Sequence, residues 1–267
     1  MWLQKIEMEV VMRGLMLLLI VVLGACSDPP VHKGKVTDRW GKALAGVTVA
    51  YTGSPKQLVT ASDGTFTIPI QKKEIKIRVG KPGYIKSTAK LQTRDEGSPE
   101  KIEFSLYPNP ETSGFYAVTS SAYSPVVSMP VKTLGTEIRA FNGLVDKGGV
   151  RLSGAKPIEF VFSSEASRTE LLRLGLQLHK LKFVQTDTLP GVLGETEVKL
   201  NLWVADETVP FDLEALETDD DYKLQTRETL EPGVYAFHTQ NLLTDLDMEG
   251  FDKLPAEMRV AFPFEVR

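Results

Sequence analysis

From residue 47 onward apolar and polar side chains alternate with a period of two, and turn residues break the alternation about every ten positions. Val47, Val49 and Tyr51 alternate with Thr48 and Ala50, and Phe66, Ile68 and Ile70 with Thr67 and Pro69. Ile75, Ile77 and Val79 alternate with Lys76 and Arg78, and Ile102, Phe104 and Leu106 with Glu103 and Ser105. Successive side chains of a strand point to opposite faces, so each run predicts a half-buried strand and the set predicts a β-sandwich. Asp63-Gly64, between apolar runs at 58–61 and 65–70, predicts a tight hairpin whose two central residues both take positive φ. Trp40-Gly41 and Ala45-Gly46 mark further reversals, and the polar stretch 90–100 reads as a loop before the last strand.

Tyr107-Pro108-Asn109-Pro110-Glu111-Thr112-Ser113-Gly114 cannot continue a strand, because proline donates nothing to a ladder. A boundary therefore falls there, with 108–113 as a semi-rigid, Pro-rich linker and 114–267 as a second domain. That domain is also β-rich, with runs at 115–118, 136–141, 158–162 and 198–204. Met258, Val260, Phe262, Phe264 and Val266 form a last strand, in which Pro263 predicts an edge or a bulge. Ser167-Arg168-Thr169-Glu170 is a capping-box pattern and predicts a helix from Ser167 towards His179. Leu171, Leu174, Leu178 and Leu181 give it an apolar stripe, but Gly175 and the alternation of Leu174, Leu176 and Leu178 allow a strand beyond Leu174. Gly114–Val118 and residues 233–237 share a Gly-apolar-Tyr-Ala-apolar pattern, which reads as two similar strand starts. The fold class is mainly β, a sandwich followed by a second sandwich-like domain with at most one or two short helices.

At the other end, residues 15–25 are uncharged and follow Arg13, as in the h-region of a signal peptide. The run is shorter than the roughly 20 apolar residues needed to cross a bilayer. Glu7 and Glu9 have the wrong sign for an n-region, which points to a translation start at Met8 or Met12. Leu23-Gly24-Ala25-Cys26 resembles the bacterial lipobox. That resemblance implies recognition of Leu23, Gly24 and Ala25 by the signal peptidase, removal of residues 1–25, lipidation of Cys26, and a tether at 26–30. Acyl chains contribute about 0.8 kcal/mol per buried methylene, so two or three hold the chain firmly to a membrane. Asp28 stands one place beyond the position next to Cys26, which favours the outer membrane if the cell is Gram-negative.

Within 31–107 the residues carry a second resemblance. Gly34-Lys35-Val36-Thr37-Asp38, Gly41-Lys42-Ala43-Leu44-Ala45-Gly46-Val47-Thr48-Val49, Thr60-Ala61-Ser62-Asp63-Gly64-Thr65-Phe66 and Pro82-Gly83-Tyr84 resemble the carboxypeptidase regulatory-like family. The resemblance implies a transthyretin-like (prealbumin) sandwich of about seven strands, with glycines at turns and Phe66 in the core. It implies a spacer or contact module without catalytic residues.

The chain has 267 residues, a net charge of −4 and one cysteine. No basic run is present to meet nucleic acid phosphates. Lipidation of Cys26 would leave no thiol for a disulfide, a nucleophile or zinc. His32, His179 and His238 lie at no metal-binding spacing, and no catalytic motif is visible. Asp219-Asp220-Asp221 lacks the alternate spacing of a calcium loop and reads as a solvated acidic turn. Glu195, Glu197, Asp206 and Glu207 are the candidates for a glycosidase-like carboxylate pair, and Trp203 for a sugar-stacking face. The expected function is that of a lipid-anchored, non-catalytic binding or scaffolding module of the bacterial cell envelope, without cofactor or metal. Its partners would be the membrane, through Cys26, and an envelope protein or polysaccharide. The competing readings are a carbohydrate- or peptide-binding lipoprotein and a hydrolase with dispersed carboxylates.

Overall fold

The computed structural model describes residues 31–91, 100–165, 167–218, 220–239, 242–243 and 259–267. The leader, Leu23, Gly24, Ala25, Cys26, most of the 90–100 loop, Asp219 and Met258 lie outside the described residues. The chain is mainly β, as the alternation predicts.

Seven strands make the first body. β1 (Val31–Asp38) lies between β4 (Thr65–Pro69), antiparallel, and β7 (Lys101–Leu106), parallel. The facing sheet has the order β3 (Leu58–Val59), β2 (Thr48–Tyr51), β5 (Ile75–Gly80), β6 (Ser87–Leu91). Val36, Phe66, Ile68 and Phe104 from one sheet meet Val49, Ile75, Ile77 and Val79 from the other in one core. Two details differ from expectation. The Asp63-Gly64 turn is hydrogen-bonded, Gly64 N–H to Ala61 O at 3.0 Å, but only Gly64 has positive φ (+78°). It carries the chain from β3 in one sheet to β4 in the other, and the Asp63 carboxylate accepts from Thr65 N–H instead of adopting the mirror-image turn. Gly34 sits within β1 rather than at a turn, directly opposite Phe66.

The second body has two sheets facing each other. One has the order β17 (Phe211–Ala215), β18 (Asp221–Thr226), β14 (Glu159–Ser163), β8 (Gly114–Val118), β9 (Tyr123–Val126). The other runs β10 (Met129–Pro130), β20 (Val260–Val266), β19 (Gly233–His238), β15 (Gln177–Gly191), β16 (Gly194–Thr208), with β13 (Arg151–Leu152) also on β20. Aromatic rings join them: Phe115 stacks on Phe237 at 4.7 Å as well as on its cross-strand partner Phe162 at 4.2 Å, and Phe160 meets Phe237 edge-on at 5.0 Å. The hairpin of β11 (Lys132–Gly135) and β12 (Ala140–Gly143) bridges onto β16 through Leu144 and Trp203. Val131, Leu144, Leu242 and Leu243 cover the outer side of β19, so Val234 and Ala236 are buried behind Tyr235 and Phe237.

Residues 136–139 are therefore a hairpin turn between β11 and β12, not the interior of a strand. The helix, α1, spans Arg168–Leu174 and carries the predicted box: Ser167 N–H donates to Glu170 Oε2 at 2.8 Å, and Glu170 N–H to Ser167 Oγ. It ends at Gly175, with φ of +58°, and Leu178 and Leu181 belong to β15. Pro263 lies between the two short partners of β20, which pair at Val260–Ala261 and at Glu265–Val266. The Gly-apolar-Tyr-Ala repeat also has a structural counterpart. The Tyr116 hydroxyl donates to Thr112 O at 2.8 Å and that of Tyr235 to Glu231 O at 2.9 Å, each closing on the carbonyl four residues upstream.

A Cβ at residue 34 would overlap the ring of Phe66. Gly34→Ala is expected to destabilise the protein by about 1–3 kcal/mol in urea titrations. Combined with Phe66→Leu the two losses should fall short of additive, because the smaller side chain makes room for the methyl.

The interdomain cleft as candidate functional site

The approach of the two bodies starts from a four-residue reversal. Asp38 Oδ1 accepts from Trp40 N–H and Lys42 N–H, both at 2.9 Å, and Gly41 N–H donates to Asp38 O at 3.0 Å. This turn projects Arg39 and Trp40 from the end of β1 towards the outer face of the β17–β9 sheet. Arg39 Nε and Nη2 donate to the two oxygens of Glu159, each at 2.8 Å, and the Tyr107 hydroxyl donates to Glu159 Oε1 at 2.8 Å. Trp40 Nε1–H donates to Thr119 O at 3.1 Å, and its ring stands edge-on to Tyr123 at 5.5 Å. Tyr123 in turn donates to Pro108 O at 3.0 Å. On the first body's side, Ile85 N–H bonds Tyr107 O and Asn109 N–H bonds Gly83 O.

Glu159 is a buried carboxylate, and burial alone would raise its pKa. The hydrogen bonds from Arg39 and Tyr107 outweigh that and hold it below the ordinary value. The same pairing pushes Arg39 upward, while burial and then Glu159 push up Tyr107. Beside this junction opens a cleft of about 870 Å³ whose lining includes Arg39, Trp40, Thr119, Arg151, Lys156 and Glu159.

The remaining candidates are distributed differently. Glu195, Glu197, Asp206 and Glu207 are exposed along the β15–β16 hairpin, and Asp206 pairs with Lys182 at 2.9 Å. None of the four lines the cleft beside the junction. Trp203 is partly buried beneath the β11–β12 hairpin and meets Phe183 at 5.3 Å, so it serves the covering layer. Asp221 corrects the reading of a solvated turn: it is buried, and its carboxylate accepts from Thr218 Oγ1 at 2.9 Å. That bond staples the entry to β18. His32 is buried in β1 and accepts from Glu100 N–H at 3.1 Å.

His179 and His238, 59 positions apart, come together in the fold. His179 Nδ1 and His238 Nε2 are 2.8 Å apart, both rings buried. The Thr239 carbonyl can only accept, so His238 Nδ1 carries the hydrogen of their 2.7 Å bond. His238 Nε2 then accepts from His179 Nδ1–H, and His179 Nε2 accepts from the Thr208 hydroxyl at 2.9 Å. At this distance the two nitrogens share one hydrogen. No group of three metal-ligating side chains occurs among the described residues. Among them, too, no helix is long and apolar enough to cross a membrane.

Residues 33–107 match the model of the carboxypeptidase regulatory-like domain. The match coincides with the seven-stranded body. None of the curated proteins matches the chain. Among solved structures it is similar to BcpA, the major pilin subunit of Bacillus cereus. One structure of that subunit is 12% identical over 89% of this chain and 67% of that chain, with a TM-score of 0.26. Another is 10% identical over 88% and 68%, with a TM-score of 0.25. The regulatory-like domain thus contributes Arg39, Trp40 and Tyr107 to the junction, and the second body contributes Glu159, Thr119 and Tyr123.

Glu159→Gln should leave both bodies folded but loosen the joint. The expected cost is about 1–3 kcal/mol, below the range for fully buried pairs because Arg39 keeps part of its side chain in solvent. Scattering should report a broader distribution of interdomain distances.

Burial lowers the pKa of both paired histidines, carrying His238 to about 4. An unfolded chain takes up these protons near pH 6.5 while the folded one does not. Stability is therefore full above about pH 6.5 and falls as the pH drops towards 4, by about 3 kcal/mol for His238. Urea midpoints at pH 7 and pH 4.5 should differ less in His238→Gln than in the parent chain.

Proposed function

We propose that the chain is a lipid-anchored, extracytoplasmic, non-catalytic module of a bacterial envelope. Its regulatory-like domain is a rigid spacer and its second body is the part presented for binding. The observation that carries this reading is the direction of β1. The strand begins at Val31, five positions after Cys26, and ends at Asp38, next to the junction residues Arg39 and Trp40. Seven steps at about 3.3 Å put the anchored end and the docking end about 23 Å apart, at opposite ends of the first sandwich. Five steps from Cys26 reach at most about 18 Å, so the first body stays close to the lipid surface. The parallel pairing of β7 with β1 returns the chain to the far end, where Tyr107 enters the junction. Force or contact applied to the second body would thus pass to the anchor through a joint held by five side chains.

The test is Cys26→Ser in cells fed a labelled fatty acid. The parent chain should be labelled, shortened and recovered with membranes, whereas the variant should be unlabelled and keep its leader. Labelling of the variant equal to the parent would overturn the proposal.

A further inference from the structure

We propose that the interdomain cleft binds an acidic polysaccharide through its carboxylates; this names a ligand class for the binding role above and rests on that reading. The chain is acidic overall, at −4, yet the cleft is lined by three cations, Arg39, Arg151 and Lys156, against the single carboxylate of Glu159. Glu159 is fully engaged by Arg39 and Tyr107. The acidic partner of Arg151 is Glu265 at 3.4 Å, which also serves Lys147 at 3.3 Å and Arg267 at 3.1 Å. Three cations on one carboxylate leave a positive surplus bordering the cleft, and such a concentration of one sign in a concavity attracts an anionic ligand.

The uncharged lining indicates which anion. Trp40 supplies an aromatic side chain, and Ser120, Ser153 and Gln225 supply short polar groups that can exchange hydrogen bonds with hydroxyls. An aromatic ring, several hydroxyl partners and spaced cations suit sugar rings bearing carboxylates. A peptide of the same charge would most readily add to a sheet edge. Of the strands that line this cleft, β8, β14 and β18 are interior to their sheet and β13 is two residues long, so little ladder is open to extend. The cleft also takes its walls from both bodies, which suits a chain-like ligand lying across the joint.

The full-length chain in detergent micelles would be titrated with polygalacturonate, poly-glutamate and neutral dextran, with tryptophan fluorescence and calorimetry as readouts. Saturable binding to polygalacturonate alone, weakened by salt, is expected. Lys156→Glu and Arg151→Glu should each weaken it about tenfold, the scale of one lost charge-assisted bond, while Lys199→Glu on β16 should leave it unchanged. Should a reversed charge disturb folding, Lys156→Gln at an exposed position gives the same test with a smaller loss. Equal binding of poly-glutamate would replace the sugar by a peptide and overturn the proposal. So would binding of dextran, binding undiminished in both cleft variants, or no binding at all. Failure here with fatty-acid labelling of Cys26 intact would count against the cleft alone, whereas loss of labelling would count against the anchored reading.

Discussion

A carboxylate buried at the start of β14 sets the terms for the whole molecule. Glu159 lies largely buried between two sandwiches, and the hydrogen bonds that a guanidinium and a phenol from the other body give it hold its pKa below the ordinary value despite that burial. Separating the bodies would expose all three groups to water at little cost to the charges themselves. Removing one partner while the bodies stay together leaves an uncompensated charge, which is far worse. The geometry therefore punishes substitution at the joint more than separation of the bodies. Trp40 and Tyr123 add direction, since Trp40 ties a ring of the first body to a backbone carbonyl of the second and Tyr123 ties the second body to a carbonyl of the linker.

The second body tolerates that load because its central strands are buried on both sides. Tyr235 and Phe237 enter the aromatic layer between the sheets, while Val234 and Ala236 pack under the cover that includes Leu242 and Leu243. A strand in that position has no polar face, and its sequence reads as a continuous apolar run. His179 and His238 sit in the same covered layer, where a polar ring is acceptable only with every nitrogen engaged. The chain from Thr208 to Thr239 O meets that demand with one direction of donation and no net charge.

The first body was largely legible in the sequence because alternation, glycine turns and one core aromatic all report a two-faced sheet. Its departures come from contacts between strands that local pattern does not encode. Gly34 is small because Phe66, 32 positions later, lies over it. Asp63-Gly64 has the composition of a tight hairpin but joins strands in different sheets, a matter of topology rather than turn chemistry. In the second body α1 was legible through its capping box, and Gly175 marked where the helix yields to β15. The junction was invisible for a different reason. Arg39 and Glu159 stand 120 residues apart, each beside unremarkable neighbours, and only the packing of two sheets brings them together. The histidine pair was hidden in the same way. The shared Gly-apolar-Tyr-Ala pattern, by contrast, carried a physical signal in plain view: a tyrosine whose hydroxyl closes on the carbonyl four residues upstream.

The joint and the cleft share Arg39, which raises the question of whether a ligand would compete with Glu159 for it. The energetics decide against competition. Glu159 holds Arg39 by two parallel charge-assisted bonds and accepts a third from Tyr107, so a ligand carboxylate taking Arg39 would strand a buried anion. Lys156 and Arg151 pose no such obstacle. Lys156 is exposed, and Arg151 shares its carboxylate with two other cations, so either can turn to a ligand at small cost. An acidic ligand would accordingly settle on the second body's cations and lean against Trp40. The bond that holds the two bodies together would remain closed while the cleft is occupied.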